Sequence, residues 1–395
     1  MTKRLTCDVV VVGAGMTGAA CALYAARAGL RVALVDRGPV AGGTTGAGEG
    51  NLLVSDKEPG PELELALHSV RLWAELAAEP GMGDAVEYER KGGVVVATAP
   101  EGLAALEELA VEQRAAGVEA IPVDPGELRS LEPHLAPGLP GAVHYPQDAQ
   151  VMPSMAAAHL VRAARAAGAR LHTGWTVTGV LRAADGSVRG VRTDQGDIHA
   201  PALVNAAGTW GGEVAALAGV RLPVLPRRGF VLVTEPLPRM VHHKVYAADY
   251  VADVASDSTA LQTSPVVEGT AAGPILIGAS RERVGFDRSF SLPVVRSLAA
   301  DATRLFPFLE QVRAMRSYLG FRPYMPDHLP AIGPDPRVPG LFHACGHEGA
   351  GIGLAPGTGQ LIAQVLTDKA PDLDLTPFRP DRFPESDRFP EEETE

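Results

Sequence analysis

Apolar positions along this chain fall into two rhythms, and their alternation sets the expected elements. Residues 8–12 read DVVVV and residues 31–35 read RVALV, unbroken runs fit for strands buried on both faces. Between them lies an Ala-rich helical stretch that runs to Ala28 and stops at Gly29. Helical spacing returns over 61–78, where Leu63, Leu67, Val70 and Leu76 share a face. It recurs over 100–116, 124–131, 152–167 and 292–305. Strands are expected at 92–98, 170–173, 176–182, 188–193, 198–200 and 202–205, with Asp185-Gly186 as a hairpin turn. From 221 to 290 the texture changes to short β runs, which predicts an antiparallel sheet. Strands follow at 318–325, 329–333 and 342–344, and the last runs into GHEGAGIGLAPGTGQLIAQVLTD, a Gly turn and then a helix. From 377 the chain holds DRFPES and DRFPEE back to back, ends acidic, and is expected to be disordered.

The first strand, helix and second strand carry more than periodicity. Gly13, Gly15 and Gly18 stand at G-x-G-x-x-G spacing between them, and Asp36 ends the second strand. Asp36 lies 18 residues after Gly18, close to the spacing of about 20 seen for a ribose-binding acid. In such a unit the first glycine allows the tight turn, the second lets backbone approach a pyrophosphate, and the third lets the helix pack on the strand. The helix N-terminus offers N–H groups and positive dipole charge to phosphate. The glycine spacing alone is weak in a chain with 44 Gly; the full strand–turn–helix–strand–acid order makes it a dinucleotide site. The loop after Arg37, GPVAGGTTGAGEGNLLVSDKEPG, is too rich in Gly to pack a core, and Thr44 and Thr45 give it hydroxyls for sugar or phosphate oxygens.

Composition narrows the partners. A net charge of −12 over 395 residues argues against nucleic acid or an anionic membrane surface, so an anionic ligand would need local arginine. Cys7, Cys21 and Cys345 form no C-x-x-C pair, so no metal or iron–sulfur site is expected, and buried free thiols in a reducing, cytoplasmic setting are. The uncharged stretch 9–26 looks superficially like a signal peptide or membrane span, but its glycines and the return to strand explain it better, so no membrane span is expected.

Several stretches together resemble the D-amino-acid oxidase/glycine oxidase family of FAD-dependent enzymes. They are the dinucleotide unit, GGTTGAGEG, LRSLEPHL with GAVHYPQDAQVMP, ALVNAAGTW, LIGASRE, GFRPYMPDHLPAIGP and GHEGAGIGLAPGTGQLIA, spread over nearly the whole chain. The run TTGAGEGNLLVSDKEPGPELELAL points to the branch of amine-oxidising subunits: opine oxidase B, hydrogen cyanide synthase C and D-hydroxyproline dehydrogenase types. The resemblance implies an α/β fold, a Rossmann-type FAD-binding domain interleaved with a substrate domain on a mixed or antiparallel sheet. The expected division is 1–85, 148–220 and 325–376 for FAD, 86–147 and 221–324 for substrate, and 377–395 as the acidic tail. By resemblance the cofactor contacts are Gly13, Gly15, Gly18, Asp36, Arg37, Thr44, Thr45, Val177, Ala207, Gly208, Gly346, His347, Gly351 and Ile352. Arg322 matches the carboxylate-binding arginine, and Tyr246 or Tyr250 the substrate-site tyrosine. Related sarcosine oxidases tether flavin through a Cys near the stretch that here reads GFRPYMPDH, which has none, so FAD is expected to be non-covalent, with a His link as the alternative.

The implied reaction is oxidation of a small amino or imino acid at the carbon alpha to its carboxylate, by hydride transfer to flavin N5. A buried carboxylate calls for a bidentate guanidinium, and Arg227, Arg228, Arg281 and Arg283 compete with Arg322 for that task. His347 reads as a base near the flavin or as a support of its turn. The expected electron acceptor is a partner subunit or second protomer. The alternatives are a stand-alone oxidase making hydrogen peroxide, a flavin hydroxylase, and a non-catalytic flavoprotein or redox relay.

Overall fold

The structure, a computed structural model, describes residues 5–248 and 260–383. The chain divides into two compact units: Met1–Gly46, Pro153–Pro226 and Arg322–Glu395 form one, and Ala47–Met152 with Arg227–Phe321 the other. Residues 47–85, expected with the first unit, group with the second. There Gly50 accepts a hydrogen bond from Val151, and Asn51–Leu52 pairs with Ala149–Gln150.

The first unit is built on a six-stranded sheet in the order Ala331–Pro334, Leu341–Cys345, Ala202–Asn205, Val9–Val12, Val32–Asp36, Arg170–Thr173. Every pair is parallel except the first. A parallel strand is covered on both faces, which is why VVVV and VALV carry no polar alternation. Helix Met16–Arg27 is rich in small residues, seven of its twelve being Ala, Gly or Cys, and nine of its residues are buried. It packs against helix Gly351–Leu366 on one side and Pro153–Ala166 on another. Small residues permit the approach: a Cβ on Gly359 would lie 2.7 Å from the Ala20 backbone. A four-stranded sheet completes the unit, with the 177–193 hairpin turning at Gly186 (φ 83°) and Leu5–Thr6 pairing parallel to Gly196–His199.

The second unit has an eight-stranded sheet: Ala314–Tyr324, Leu225–Thr234, Ile275–Arg281, Gln262–Gly269, Lys244–Ala247, Gly93–Ala97, Gly141–Tyr145 and Ile121–Val123. One face is apolar. Val94, Val96, Val245, Val267 and Ile277 pack there under Val294, Val295, Leu298, Ala302 and Leu305 of helix Leu292–Leu305. Each valine, leucine or isoleucine among them contributes about 1.5–3 kcal/mol on burial. The expected antiparallel pattern holds for most pairs, but Lys244–Ala247 runs parallel to Gly93–Ala97. Spacing along one strand does not encode the direction of a partner some 150 residues away. Tyr250 and the rest of 249–259 lie outside the described residues.

Residues 377–383, expected to be disordered, are structured. The turns Thr376–Phe378 and Pro380–Arg382 lie here, Phe378 is 1% exposed, and Arg382 pairs with Asp327. One buried aromatic and a two-point ion pair offset the cost of ordering so short a polar segment. Residues 384–395 lie outside the described residues.

Candidate cofactor and substrate site

Strand register gathers the expected cofactor residues. Val12 is aligned with Val35 and with Asn205, and Asn205 with His343. The turns that begin at Gly13, Asp36, Ala206 and Gly346 therefore open at one edge of the parallel sheet, its carboxyl edge, where ligands of such sheets bind. Gly13 has φ 109°, and a Cβ there would lie 2.3 Å from the Ala206 carbonyl oxygen. Gly18 has no room either: its Cβ would lie 1.8 Å from the Gly13 oxygen. Gly15 differs. It caps helix Met16–Arg27 with ordinary backbone angles, no side chain caps that end, and a Cβ there would meet only Thr45 Oγ1 at 3.1 Å. Two of the three glycines are thus required by the protein's own backbone, while the third keeps a helix N-terminus open, as a pyrophosphate needs.

The acid and the loop are held in place around that turn. Asp36 accepts the Ala14 N–H at 2.7 Å and the Gly38 N–H at 2.7 Å, one on each carboxylate oxygen. Thr45 Oγ1 accepts the Met16 N–H at 2.9 Å, and Thr44 and Thr209 hydroxyls meet at 3.1 Å. The Arg37 guanidinium lies over the Trp210 ring, 4.6 Å from its centroid. Val177, half-buried, opens its strand and packs on the core of the first unit, as does Ala207.

The turn Ala206–Gly208 is secured by residues outside any sequence motif. Asn205, fully buried, donates from Nδ2 to the Gly211 oxygen at 2.8 Å, and its Oδ1 accepts from Ala207 N–H at 3.3 Å. The same Nδ2 lies 3.1 Å from His343 Nδ1, and His343 Nε2 lies 3.1 Å from Asp335 Oδ2. Burial lowers the His343 pKa. Burial would raise that of Asp335, but the Arg337 fork and His343 outweigh it and hold the carboxyl below the usual range. Asp335 and His343 are far from Asn205 in sequence and carry no local signal.

The last turn, Gly346 to Gly351, leads into helix Gly351–Leu366. Gly346 has φ 85°, and a Cβ there would lie 2.5 Å from Met325. His347 is 3% exposed with Nε2 2.9 Å from Thr358 Oγ1, and burial pushes its pKa down to about 3. The imidazole is therefore neutral and ties the turn to its helix. Ile352 follows at 9% exposure. Arg322, half-buried near the end of strand Ala314–Tyr324, runs beside Gly349: a Cβ there would meet its Cδ and Nε at 3.6 Å. Among the rival arginines, Arg228 is committed to Glu282 and Asp287, and Arg227 reaches Gln262 Oε1 at 2.9 Å.

In the second unit Tyr246 is fully buried, and its hydroxyl lies 2.5 Å from Ser55 Oγ. Ser55 donates to Asp148, whose other oxygen accepts the Val54 N–H at 2.8 Å. Gln113, itself bonded to Tyr145, donates to the carbonyls of Ser55 and Lys57. The tyrosine expected at the substrate is thus bound into a network that pins residues 54–57 to the sheet. Burial raises Asp148 to about 7. A carboxyl with a folded-state pKa above its unfolded value favours the native state most at low pH, and that contribution is lost as pH rises from about 4 to 7. Asp148→Asn keeps the shape without the charge. Its unfolding free energy relative to the parent is expected to rise by about 2–3 kcal/mol between pH 5 and pH 8. Denaturant melts at the two pH values measure this, and an equal offset at both would show that Asp148 does not titrate there.

All three cysteines are buried free thiols, and burial pushes Cys21 and Cys345 up to about 12. Among the described residues no helix is long and apolar enough to cross a membrane, and no cluster of three His, Cys, Asp or Glu could hold a metal.

Comparison with known proteins adds to this geometry. The family model described as DAO, FAD dependent oxidoreductase, matches residues 8–365. Hydrogen cyanide synthase subunit HcnC of Pseudomonas aeruginosa is 33% identical over 419 residues, covering 96% of this chain and 96% of that one. Glycine oxidase of Geobacillus kaustophilus is 33% identical over 96% of this chain and 97% of its own. The crystal structure of glycine oxidase from Geobacillus kaustophilus superposes with a TM-score of 0.86 over 96% of this chain and 100% of that chain, at 30% identity.

Proposed function

The chain belongs to the DAO family of FAD-dependent oxidoreductases, and from that premise we propose that it oxidises a small amino or imino acid at the C–N bond alpha to the carboxylate. The substrates in view are glycine, sarcosine, D-proline, D-hydroxyproline and opines. FAD, when bound, would supply the two-electron, hydride-accepting chemistry that turns the amine into the imine. Gly13, Gly15, Gly18 and Asp36 would hold its pyrophosphate and ribose, and Val177 would offer backbone to the adenine. Thr44, Thr45, Ala207 and Gly208 would line the edge along it. The burial of all three cysteines supports a non-covalent cofactor.

The observation that carries this reading is Arg322, set beside Gly349 in the turn that opens helix Gly351–Leu366. A guanidinium there can take the substrate carboxylate in a bidentate pair. The helix N-terminus favours negative charge at that end of the site. Burial makes His347 a weak proton acceptor and its Nε2 is taken up by Thr358, so its part is to support the turn. The protein's work is then orientation: it holds the alpha C–H in line and needs no strong base when the amine arrives neutral.

Likeness to a protein named as a subunit supports transfer of electrons to a partner; the second reading, supported by likeness to glycine oxidases, is transfer to oxygen. Anaerobic mixing with the five substrate types is expected to bleach the flavin with one class. Slow recolouring in air would then mark a dehydrogenase, and fast recolouring an oxidase. If none bleaches the FAD-loaded protein, the amino-acid reading falls.

A further inference from the structure

The repeated DRFP motif finds a use in its first copy. Arg382 donates from Nε to Asp327 Oδ2 at 2.6 Å, and from Nη2 to Asp327 Oδ1 at 2.9 Å and to the Leu329 carbonyl at 2.5 Å. Its Nη1 reaches the Arg379 carbonyl at 3.0 Å, and its guanidinium lies over the Phe383 ring, 4.6 Å from the centroid. Phe383 in turn packs on the core of the first unit. A planar fork that closes on both oxygens of one carboxylate and on a neighbouring carbonyl fixes orientation, not just distance.

The residue caught between those anchors is His328. Its backbone is left-handed, φ 59°, and its Nδ1 lies 3.1 Å from Glu348 Oε2. Glu348 is left-handed too, φ 45°, and 8% exposed. Such a conformation is unfavourable for a non-glycine residue and persists only where the surroundings hold it. The pair is held from the Arg382 side. It ends beside Gly349, the residue against which Arg322 lies. A second route runs through Tyr324, whose ring meets His328 edge-on at 5.3 Å and which stands two residues past Arg322 on the same strand, hence on the same face.

We propose that Arg382 is a positioning residue for Arg322, acting through Asp327–Leu329, His328 and Glu348 on the turn that underlies the substrate-binding guanidinium. It touches neither substrate nor cofactor. The inference rests on Arg322 as the carboxylate-binding residue.

The test is anaerobic flavin bleaching of the holoenzyme with glycine, sarcosine and D-proline, and flavin spectral titration with acetate as a carboxylate that cannot be oxidised. Arg382→Ala is expected to raise the half-saturating concentration of the bleaching substrate, and of acetate, by roughly 3- to 30-fold. The limiting bleaching rate and the FAD content should stay within about 2-fold of the parent, a split that general destabilisation would not give. Arg382→Lys, which keeps the charge but not the fork, should fall between. His328→Asn should weaken binding similarly, and the double variant should be no worse than the weaker single, because both act in one chain. Unchanged half-saturation in Arg382→Ala and Arg382→Lys, or fully multiplicative losses in the double variant, would overturn the inference while leaving Arg322 in its role. If the parent protein responds to neither amino acids nor acetate, the reading of Arg322 fails first, and this inference with it.

Discussion

Gly18→Ala is expected to leave the protein without bound FAD and measurably less stable. The added Cβ would sit 1.8 Å from the Gly13 oxygen and 2.9 Å from its carbonyl carbon. Both are backbone atoms, so no side chain can swing away. Gly13 cannot retreat either, because its N–H is bonded to the Val35 oxygen at 2.8 Å and the Ala206 oxygen fills the space beside it. Alanine gains about 1 kcal/mol over glycine in helix propensity, but forced overpacking costs about 1–3 kcal/mol or more. The steric cost prevails, and relief comes by moving the helix N-terminus off the phosphate turn. Gly15→Ala should behave differently: its Cβ meets only a threonine hydroxyl, so the apoprotein should melt like the parent while FAD affinity falls. Flavin-to-protein absorbance ratios and apoprotein thermal melts separate the two. A Gly18→Ala protein that purifies with stoichiometric FAD would refute this account of the turn.

Arg322→Ala should bind FAD normally and lose nearly all turnover. Removing one partner of a buried, bidentate charge pair costs about 3–5 kcal/mol, which is about 10²–10⁴ in kcat/KM. Both saturation and rate should suffer, since the carboxylate contact also fixes the alpha carbon in place. Arg322→Lys keeps a cation but not the fork, so it should recover only part of the loss. Steady-state kinetics with the substrate found by bleaching, beside a flavin spectrum to confirm loading, make the measurement. A loss below ten-fold would move the carboxylate to another cation, with Arg281 and Arg283 next in line.

Much of this protein is legible along the chain because the relevant physics is local. The helices Pro61–Ala78 and Leu292–Leu305 and the strands Arg170–Thr173, Val188–Thr193 and Ala202–Asn205 begin and end where apolar spacing, proline and glycine place them. The dinucleotide turn is local too: three glycines, one helix start and one acid lie within 24 residues. Less legible were Ile121–Val123 and Gly141–Tyr145, short strands whose stability comes from one another and from Gly93–Ala97.

The sequence by itself determined the α/β character, the Rossmann-type turn and the arginine beside Pro323, because these depend on neighbours a few residues apart. Only the tertiary structure decided what holds them. Asn205 meets His343 across a 138-residue gap, and Tyr246 meets Ser55 across 191. It placed 47–85 with the second unit and ordered 377–383 around Phe378 and Arg382. It also showed that His347 spends its imidazole on Thr358. Those choices depend on burial and on hydrogen-bond partners brought together by strand register, and a buried polar group takes whichever partner the fold sets beside it.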